Sequence, residues 1–439
     1  MGGKQSSEIP SRSSLNPTER KRLSTFLEKK GSHSQFNRHD MERLWTGYLV
    51  PDLLKSYSEY LMKQAKGKQN YIGIEEFVWI YSALIRGDQD EKVNTLADVI
   101  GSQKNSSGQV VISFKSLCKY IADLLESYLL GLKTQNDPNY NSWTHHKKPE
   151  RAVMELVTHG ICSDLQRQDD EVQVSDLQRW LHTSAVVAVL HSYVLGSLYS
   201  LEPEVKDTVV PQAVLPTIKT HTFLDLAEVI YINSFIPNQH RTLWRFLFST
   251  QTHGESFAKF IGSISNKGAL VIVIQAENHC TFGGFISENV SPGPRWVGDG
   301  DCFLFRLSPV VEIFPSTGYN DHYVYLNSHQ QSLPNGLGMG GQYSYWGLWL
   351  DSQFGVGECS ESCTTYKDYK MMTKKKKFRI VKLEAWGVGD PPLTAHERGE
   401  RETAGTTVLD RESDSTHLLE MAGRKMYSKR IGKDPVDPN

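Results

Sequence analysis

The 439-residue sequence lacks a sizeable net charge, a long hydrophobic run and a secretory leader. Its formal net charge is −2, which gives no overall attraction to nucleic acid, so no nucleic-acid partner is expected. The longest apolar stretch, Ala185–Leu198, is interrupted by His191 and Ser192. It is shorter than a membrane span of about 20 residues and predicts a buried helix. Without a leader, a cytosolic context is expected.

Cysteine is scarce as well, and the six cysteines include no Cys-x-x-Cys pair. In a cytosolic chain they are expected to be mostly reduced thiols. Cys359 and Cys363 lie close together in the sequence, but no histidine stands near them to complete a metal site. They predict two thiols that flank a loop, and no metal site is expected.

Sequence patterns of common enzymes are absent or out of context. The chain has no Gly-x-Ser-x-Gly elbow of the α/β-hydrolases. Residues 336–341 satisfy the dinucleotide fingerprint Gly-x-Gly-x-x-Gly. That fingerprint binds a cofactor only between a strand and a helix, whereas Ser332-Leu333-Pro334-Asn335 stands before it here and an aromatic strand is predicted after it. No cofactor is therefore expected.

Two histidines stand near possible nucleophiles: His253 near Ser256, and His279 beside Cys280. Neither pair has an identifiable acid to orient the histidine. His253 and Gly254 instead predict a turn into a helix whose N-cap region ends at Ser256. We therefore expect structural roles for these residues and no enzyme activity.

The chain begins with Met-Gly-Gly-Lys-Gln-Ser, in which Gly2 and Ser6 match the pattern for N-myristoylation. We interpret Gly2 as the lipidation site; the alternative is a polar tail that begins with glycine by chance. One acyl chain anchors a protein only marginally, so a second membrane signal is required. The basic residues that could assist at an anionic surface are Arg12, Arg20, Lys21, Arg22, Lys29 and Lys30. The solvated face of a helix explains this cluster equally well.

Residues 16–201 predict a helical domain that begins with a capping box of Asn16 and Glu19 around Pro17. The EF-hand frame has an apolar residue at loop position 8, an acid at position 12 and an apolar residue at position 13. This pattern occurs four times, once without its acid. The matching residues are Phe36, Asp40 and Met41; Ile72, Glu76 and Phe77; Ile112, Ser116 and Leu117; and Val172, Asp176 and Leu177.

The calcium ligands of this frame are missing. Positions 1, 3 and 5 of the first two loops are Lys29, Gly31 and His33, and Ala65, Gly67 and Gln69. Calcium requires several oxygen ligands, mostly carboxylates. The sequence therefore predicts a degenerate EF-hand-like domain that does not bind calcium, with a plain helical bundle as the alternative. Residues 134–150 are interpreted as a loop, and residues 202–216, with three prolines, as a linker.

From residue 243 to 387 the chain consists of short, aromatic segments separated by glycines. The strand candidates are residues 243–250, 269–274, 281–286, 302–307, 311–314, 323–326, 347–351 and 378–386. Short strands with frequent turns predict a mainly antiparallel β-sandwich. Four consecutive lysines, Lys374 to Lys377, precede the last strand. They are interpreted as a solvated hairpin tip or edge guard, with a nuclear-import or acidic-lipid patch as the alternative.

After residue 388 the composition becomes polar and charged, which predicts a flexible linker over 389–413. A short amphipathic helix is then predicted over 414–432, with Asp414 and Ser415 as its cap. We interpret this helix as one that docks into a partner's groove; the alternative is that it packs on its own domain. Its candidate contact residues are Leu418, Leu419, Ala422, Arg424, Lys425, Met426 and Arg430.

The order of motifs from residue 243 onward resembles the TLDc family. The matching elements are Leu243-Trp244 to Ser249-Thr250, His253-Gly254, Ser256-Phe257, Phe282-Gly283-Gly284-Phe285, Gly298-Asp299-Gly300, Phe303-Leu304-Phe305, Gly338-Met339-Gly340-Gly341, Gly347-Leu348-Trp349-Leu350-Asp351 and Glu384-Ala385-Trp386-Gly387. The resemblance implies a β-sandwich flanked by helices, a role in oxidative-stress resistance and binding to the vacuolar proton-pumping ATPase. With its glycine-initiated N-terminus and EF-hand-like half, the chain is similar to the mTOR-associated lysosomal members, which implies support of mTOR signalling at lysosomes.

The resulting hypothesis is an α+β multidomain protein that acts as a non-enzymatic adaptor on the cytoplasmic face of the lysosomal membrane. Its expected partners are the vacuolar ATPase, the mTOR kinase complex and, through an acyl chain, the membrane. The expected domains are a tail (1–15), a helical domain (16–201), a linker (202–216), a TLDc domain (217–388), a second linker (389–413) and a helix (414–432). The rival hypotheses are a thiol enzyme using Cys280 or Cys302 in oxidative-stress protection, and a lipid- or calcium-responsive sensor.

Overall fold

A computed structural model describes residues 15–31, 35–64, 71–205, 207, 209–217, 220–277 and 279–393. These residues form an α+β fold in which a helical N-terminal region precedes a region rich in β-sheet, as predicted. The predicted lipidation site Gly2 and the predicted helix at 414–432 lie outside the described residues.

The helices are α1 (Pro17–Lys29), α2 (Arg38–Trp45), α3 (Pro51–Gln64), α4 (Ile74–Phe77), α5 (Trp79–Tyr81), α6 (Gln89–Ile100), α7 (Phe114–Thr134), α8 (Pro138–Thr144), α9 (Arg151–Ile161), α10 (Val174–Thr183), α11 (Ala185–Leu198), α12 (Leu226–Phe235), α13 (Thr250–His253) and α14 (Phe257–Ile264). A π-helical turn, Ser82–Arg86, continues α5, and a 3₁₀ turn covers Asn238–His240.

The strands are β1 (Gln35–Phe36), β2 (Ile72–Gly73), β3 (Gln103–Lys104), β4 (Val110–Ser113), β5 (Glu171–Gln173), β6 (Gln212–Val214), β7 (Leu243–Ser249), β8 (Leu270–Ala276), β9 (Thr281–Ile286), β10 (Trp296–Val297), β11 (Phe303–Ser308), β12 (Glu312–Pro315), β13 (Val324–Asn327), β14 (Gly336–Gln342), β15 (Tyr345–Asp351), β16 (Val356–Glu358) and β17 (Lys377–Val388).

Helix α1 begins at the predicted capping box. The Asn16 side chain accepts a hydrogen bond from the Glu19 amide at 2.9 Å, and the Glu19 carboxylate accepts one from the Asn16 amide at 2.9 Å. Pro17 occupies the first helical position, where its missing N–H leaves no bond unmade. After the helix, Gly31 takes a φ of 64°, the left-handed conformation that terminates helices.

The four EF-hand frames meet in two pairs. Phe36 of β1 pairs with Ile72 of β2, and Ile112 of β4 pairs with Val172 of β5, both antiparallel. These are the four residues that the frame placed at loop position 8. Each frame thus joins its neighbour through a short ladder, and a helix starts directly after it. The EF-hand-like skeleton is therefore present as a way of packing helices.

Helix α11 lies in the middle of this helical region. It is apolar on all sides, and ten of its residues are buried, so the buried helix predicted for Ala185–Leu198 is confirmed. Just after it, Tyr199 packs edge-on against Trp45 and Phe77 at 6.1 and 5.2 Å between ring centroids, and its hydroxyl donates to the Phe77 carbonyl at 2.8 Å.

No single helix in the described part of the chain is long and apolar enough to span a membrane. Helices α10 and α11 together have the necessary length and composition, but they are bent by 86°.

The interpretation of residues 134–150 as a loop is wrong, because α8 lies within them. Asp137 accepts a hydrogen bond from the Tyr140 amide at 3.0 Å, and Pro138 stands at the first helical position. An acid followed by proline begins a helix as readily as it makes a turn. Trp143 on this helix packs against Trp244 and Trp386, and this contact favours the helix over the turn.

The twelve β-strands of the larger sheet run in the order β10-β13-β14-β15-β16-β17-β8-β9-β11-β12, with β7 beside β17 and β6 beside β7. All pairs are antiparallel except β6 with β7, which confirms the predicted antiparallel character. The long strand β17 pairs with β16 through its first residues and with β7 and β8 through the remainder. Strand β17 therefore joins two half-sheets that face each other. One contains β10 and β13 to β16, and the other contains β6 to β9, β11 and β12.

The half-sheet containing β8 is buried on both faces. Val271 and Val273 belong to a helix-side core that the sheet shares with the helices, while Ile272 and Ile274 belong to a sandwich core between the half-sheets. This explains the uninterrupted apolar run of β8, because both faces of the strand are covered. Gly284 of β9 lets the half-sheets approach, since a Cβ there would lie 2.5 Å from the Met339 sulfur.

Three tryptophans connect the helical region to the sheet. The Trp143 ring of α8 lies 5.7 Å from that of Trp244 in β7 and 5.1 Å from that of Trp386 in β17. The Trp143 indole N–H donates to the Pro211 carbonyl at 2.7 Å, and the Trp244 indole N–H donates to Asn233 at 3.0 Å. The three rings therefore pack against one another, and their indole N–H groups are hydrogen-bonded.

Replacement of Trp143 by alanine is expected to lower the free energy of unfolding by about 3–5 kcal/mol, because it removes a buried indole and leaves a cavity against two others. Chemical denaturation of the full chain measures this difference. Tyr319→Ala is the matched control, since Tyr319 is 81% exposed and its removal leaves no cavity. Equal stability of the two variants would contradict the proposed importance of this contact.

Candidate functional site

The described residues contain four candidate sites: the EF-hand-like loops, the His253 to Cys302 segment, two buried carboxylates and the lysine run. The predicted partner-binding residues from Leu418 to Arg430 lie outside the described part of the chain, as does Gly2, so their roles stay predictions.

In the first two EF-hand-like loops, the acid at position 12 caps a helix. Asp40 accepts a hydrogen bond from the Asn37 amide at 3.1 Å and donates its own amide to the Asn37 side chain at 2.9 Å. Glu76 accepts from the Gly73 amide at 3.0 Å. Both carboxylates lie in the first turn of a helix, where the helix dipole favours negative charge. The acids kept from the calcium frame therefore stabilise helix starts.

In the third loop, which has Ser116 at position 12, Ser113 caps α7 by accepting from the Ser116 amide at 3.2 Å, and Asp170 of the fourth loop supports this cap. Asp170 accepts hydrogen bonds from the Ser113 hydroxyl at 2.6 Å and from the Lys115 amide at 3.0 Å. These bonds lower the pKa of Asp170 from its usual value. No group of three or more His, Cys, Asp or Glu residues in the described part of the chain is arranged to hold a metal ion.

His253 and Ser256 each have a structural partner. The His253 ring accepts from the Ser249 amide at 3.1 Å and stacks on Phe248 at 5.3 Å. Ser256 caps α14 by accepting from the Lys259 amide at 3.4 Å. The predicted turn and helix cap are confirmed, and both side chains position the elements that open the sheet region.

The cysteines proposed for thiol chemistry are buried. Cys280 belongs to the sandwich core, and Cys302 lies 3.2 Å from the Ser287 hydroxyl. Burial raises the pKa of Cys302 above its usual value and raises that of Cys359 to about 12. A reactive cysteine needs a depressed pKa and access to solvent. This geometry suits packing and gives no support to a thiol nucleophile.

Glu384 is a buried carboxylate that the sequence reasoning missed. It accepts hydrogen bonds from the Thr222 hydroxyl at 2.7 Å, the Phe223 amide at 3.0 Å and the Trp386 indole at 3.1 Å. Burial raises its pKa to about 7, although these bonds oppose the shift. The signal was an acid inside the apolar run before Trp386. Its position ties the chain entering α12 to β17.

Glu228, a half-buried carboxylate, stands in the first turn of α12, after the buried N-cap residue Asp225. It accepts from the Asp225 amide at 2.7 Å, and burial raises its pKa to about 7. Asp225 in turn accepts from the Glu150 amide at 3.0 Å, so the start of α9 is tied to the start of α12. The buried carboxylates Glu384 and Asp225 therefore hold elements together at the boundary of helices and sheet.

The lysines Lys374 to Lys377 are all exposed and lead into β17. They end the connection between the antiparallel strands β16 and β17, which agrees with a solvated hairpin, whereas β17 has β16 and β8 beside it and is not an edge strand that needs a guard. A groove of about 570 Å³ lies beside them, and its charged lining residues are Glu277, Asp351, Glu358, Lys375, Lys377 and Arg379. This is a charged surface on the outer face of the sheet.

The TLDc domain family matches the chain over residues 218–389, which include α12 and the strands from β7 to β17. The MTOR-associated protein MEAK7 of Gallus gallus is 31% identical over 397 residues, which cover 86% of this chain and 82% of that protein. The chain belongs to the MEAK7 family of TLDc-domain proteins. The MEAK7 protein of Homo sapiens is 30% identical over 86% of this chain and 84% of its own length.

Membership in the MEAK7 family includes the helical region, whereas other relatives share only part of the chain. Nuclear receptor coactivator 7 of Homo sapiens is 29% identical over 178 residues, which cover 40% of this chain and 18% of that protein. The MEAK7 relatives therefore share both the helical and the sheet regions of this chain.

Calcium is expected to leave the thermal stability unchanged, because the acids at position 12 are engaged as helix caps. Asp40→Ala should lower the free energy of unfolding by about 1 kcal/mol through loss of the cap, equally with and without calcium. Glu28→Ala, an exposed change on α1, is the control and should shift stability by less than about 0.5 kcal/mol. A calcium-dependent stabilisation that Asp40→Ala abolishes would contradict this assignment.

Cys302 is expected to react with iodoacetamide near neutral pH far more slowly than free glutathione, since burial keeps it protonated. Mass spectrometry of the labelled peptide measures the rate, and the unfolded chain serves as the control for intrinsic reactivity. Labelling of Cys302 in the folded protein at the rate of an activated thiol would restore the enzyme hypothesis.

Proposed function

We propose that this protein is a non-enzymatic adaptor that supports mTOR signalling on the cytoplasmic face of the lysosome. The observation that carries the proposal is the similarity to proteins named MTOR-associated protein MEAK7 over 86% of this chain. Because that similarity includes the helical region, the proposed mTOR association belongs to the helical and TLDc regions together. The relatives that share only the TLDc region bear a different name.

An adaptor role is consistent with the chemistry of the described residues. His253 and Glu384 hold structural elements together, and Cys280 and Cys302 pack in the sandwich core. The proposed function therefore depends on surfaces that contact partners. We place the vacuolar ATPase among those partners and assign its contacts to the TLDc surface and to the predicted helix at 414–432. The membrane contact in this proposal begins with an acyl chain on Gly2.

The test is a pull-down of tagged full-length protein from cells, probed for the mTOR kinase complex and for the vacuolar ATPase. The full chain is expected to retain both. A protein ending at Gly389 should lose most of the ATPase, since the predicted helix supplies an anchor of apolar and basic residues. Equal recovery by both proteins would remove the helix from the proposal, and absence of both partners from the full-length sample would overturn the function.

Gly2→Ala provides a separate measurement, because it blocks acylation without touching any described contact. The variant should move from the lysosomal membrane fraction to the soluble fraction. Loss of the acyl chain reduces the favourable free energy of membrane binding by about 0.8 kcal/mol for each methylene that was buried in the bilayer. Gly3→Ala is the matched control. An unchanged distribution of Gly2→Ala would show that the acyl chain is not an anchor.

A further inference from the structure

We propose that Lys374, Lys375, Lys376 and Lys377 form a second membrane contact that binds an anionic lipid surface. The inference rests on the proposed membrane location, because a single acyl chain on Gly2 gives only marginal binding and a polybasic patch is one of the signals that make it stable. These four residues are called the lysine run below.

The lysine run makes no ion pair within the described part of the chain, although Glu358 lies opposite Lys377 on the neighbouring strand, and Glu277 and Asp351 line the same groove. All four lysine side chains are exposed. Other lysines do have such partners, for example Lys119 with Asp52 at 2.5 Å and Lys370 with Glu312 at 2.6 Å. Lys374 and Lys376 stand outside the lining of that groove, so the four exposed lysines give this surface an excess of positive charge that an anionic surface can approach.

The electrostatic attraction between the lysine run and an anionic surface must be local, because the whole chain carries a formal charge of −2. The backbone is bent over residues 374–376, and the three Cα–Cα steps of the lysine run span at most roughly 11 Å. That distance is close to the Debye length of about 8 Å at physiological ionic strength, so the four charges act together at a surface they approach. Arg379, two residues further along and also exposed, adds a fifth charge to the same region.

The backbone beneath the lysine run is held in place. The Lys376 carbonyl accepts from the Cys359 amide at 2.8 Å, and the Lys375 carbonyl accepts from the Thr373 hydroxyl at 2.6 Å. The next inward side chains, Phe378 and Ile380, are buried in the sandwich core. Binding therefore orders lysine side chains on a fixed base, without the larger entropy cost of ordering a loop.

The basic cluster of α1, which the sequence suggested for the same purpose, is partly neutralised. Arg20 pairs with Glu75 at 3.7 Å, and Arg22 pairs with Glu202 at 2.9 Å. Lys30 stands over the Phe26 ring at 6.0 Å. The structure thus favours the lysine run over α1 as the second signal.

Lysine chemistry favours a lipid surface over an acidic protein. An ammonium group is a compact charge on a flexible stem, whereas arginine provides the planar fork that recognises a defined carboxylate. The backbone is bent over residues 374–376 and each ammonium group ends a flexible stem, so four adjacent lysines present diffuse charge without a fixed pattern. Diffuse charge matches a field of anionic headgroups.

The test is sedimentation of unacylated full-length protein with vesicles of phosphatidylcholine, with and without phosphatidylserine. Binding should require phosphatidylserine and weaken with added salt. Replacing all four lysines by glutamine should weaken binding on the order of a thousandfold, since each basic residue near an anionic surface contributes about 1 kcal/mol. Lys21→Gln, Lys29→Gln and Lys30→Gln together are the matched control and should retain most of the binding.

An equal loss in both variants, or no loss in the lysine-run variant, would overturn the assignment. Binding of the protein to polyglutamate but not to the vesicles would also overturn it, in favour of an acidic protein partner. Because the protein is unacylated and no partner protein is present, failure here leaves the pull-down and Gly2→Ala results intact. Thermal unfolding of the glutamine variant should match that of the original chain, which confirms that its surface change leaves the fold unaltered.

Discussion

The contact of Trp143 with Trp244 and Trp386 makes the helical region and the sheet parts of one structure. A continuous cluster of buried residues extends from Leu15, just before α1, to Val388 at the end of β17. Burial of an aromatic side chain contributes several kilocalories per mole, so neither region presents its contact face to water without a large loss. The face of β7, β8 and β17 that the helices cover is apolar for this reason.

The EF-hand-like region keeps the helix packing of a calcium-binding motif without the calcium ligands. Two features of the frame that do not involve calcium remain: the apolar residue at position 8, which pairs two loops, and the acid at position 12, which caps a helix. Where the acid is absent, Ser113 caps the helix, and Asp170 of the neighbouring loop accepts from the Ser113 hydroxyl and from the Lys115 amide. Helix packing in this region thus depends on hydrogen bonds and apolar ladders, which need no ion.

Buried polar groups in this protein connect elements. Tyr57, Tyr120 and His191 form a chain of hydrogen bonds of 2.9 and 2.7 Å between α3, α7 and α11, and burial lowers the pKa of His191 to about 4. Glu384 performs a similar task between β17 and the segment before α12. Groups that are already engaged in this way are poorly placed for catalysis, and the proposed activities therefore lie on surfaces such as the lysine run.

The sequence by itself determined the features that depend on local chemistry and period: the capping box of α1, the buried helix Ala185–Leu198, the EF-hand frame and the short antiparallel strands. Only the tertiary structure decided which of these meet. The helix α8, the position of β17 between two half-sheets and the burial of Glu384 all depend on contacts between residues far apart in the chain. Local patterns cannot specify such contacts. The helix at residue 138 is favoured over a turn by residues that pack against it only in the folded chain, and the carboxylate of Glu384 is kept in its strand by hydrogen bonds from residues far away in the sequence.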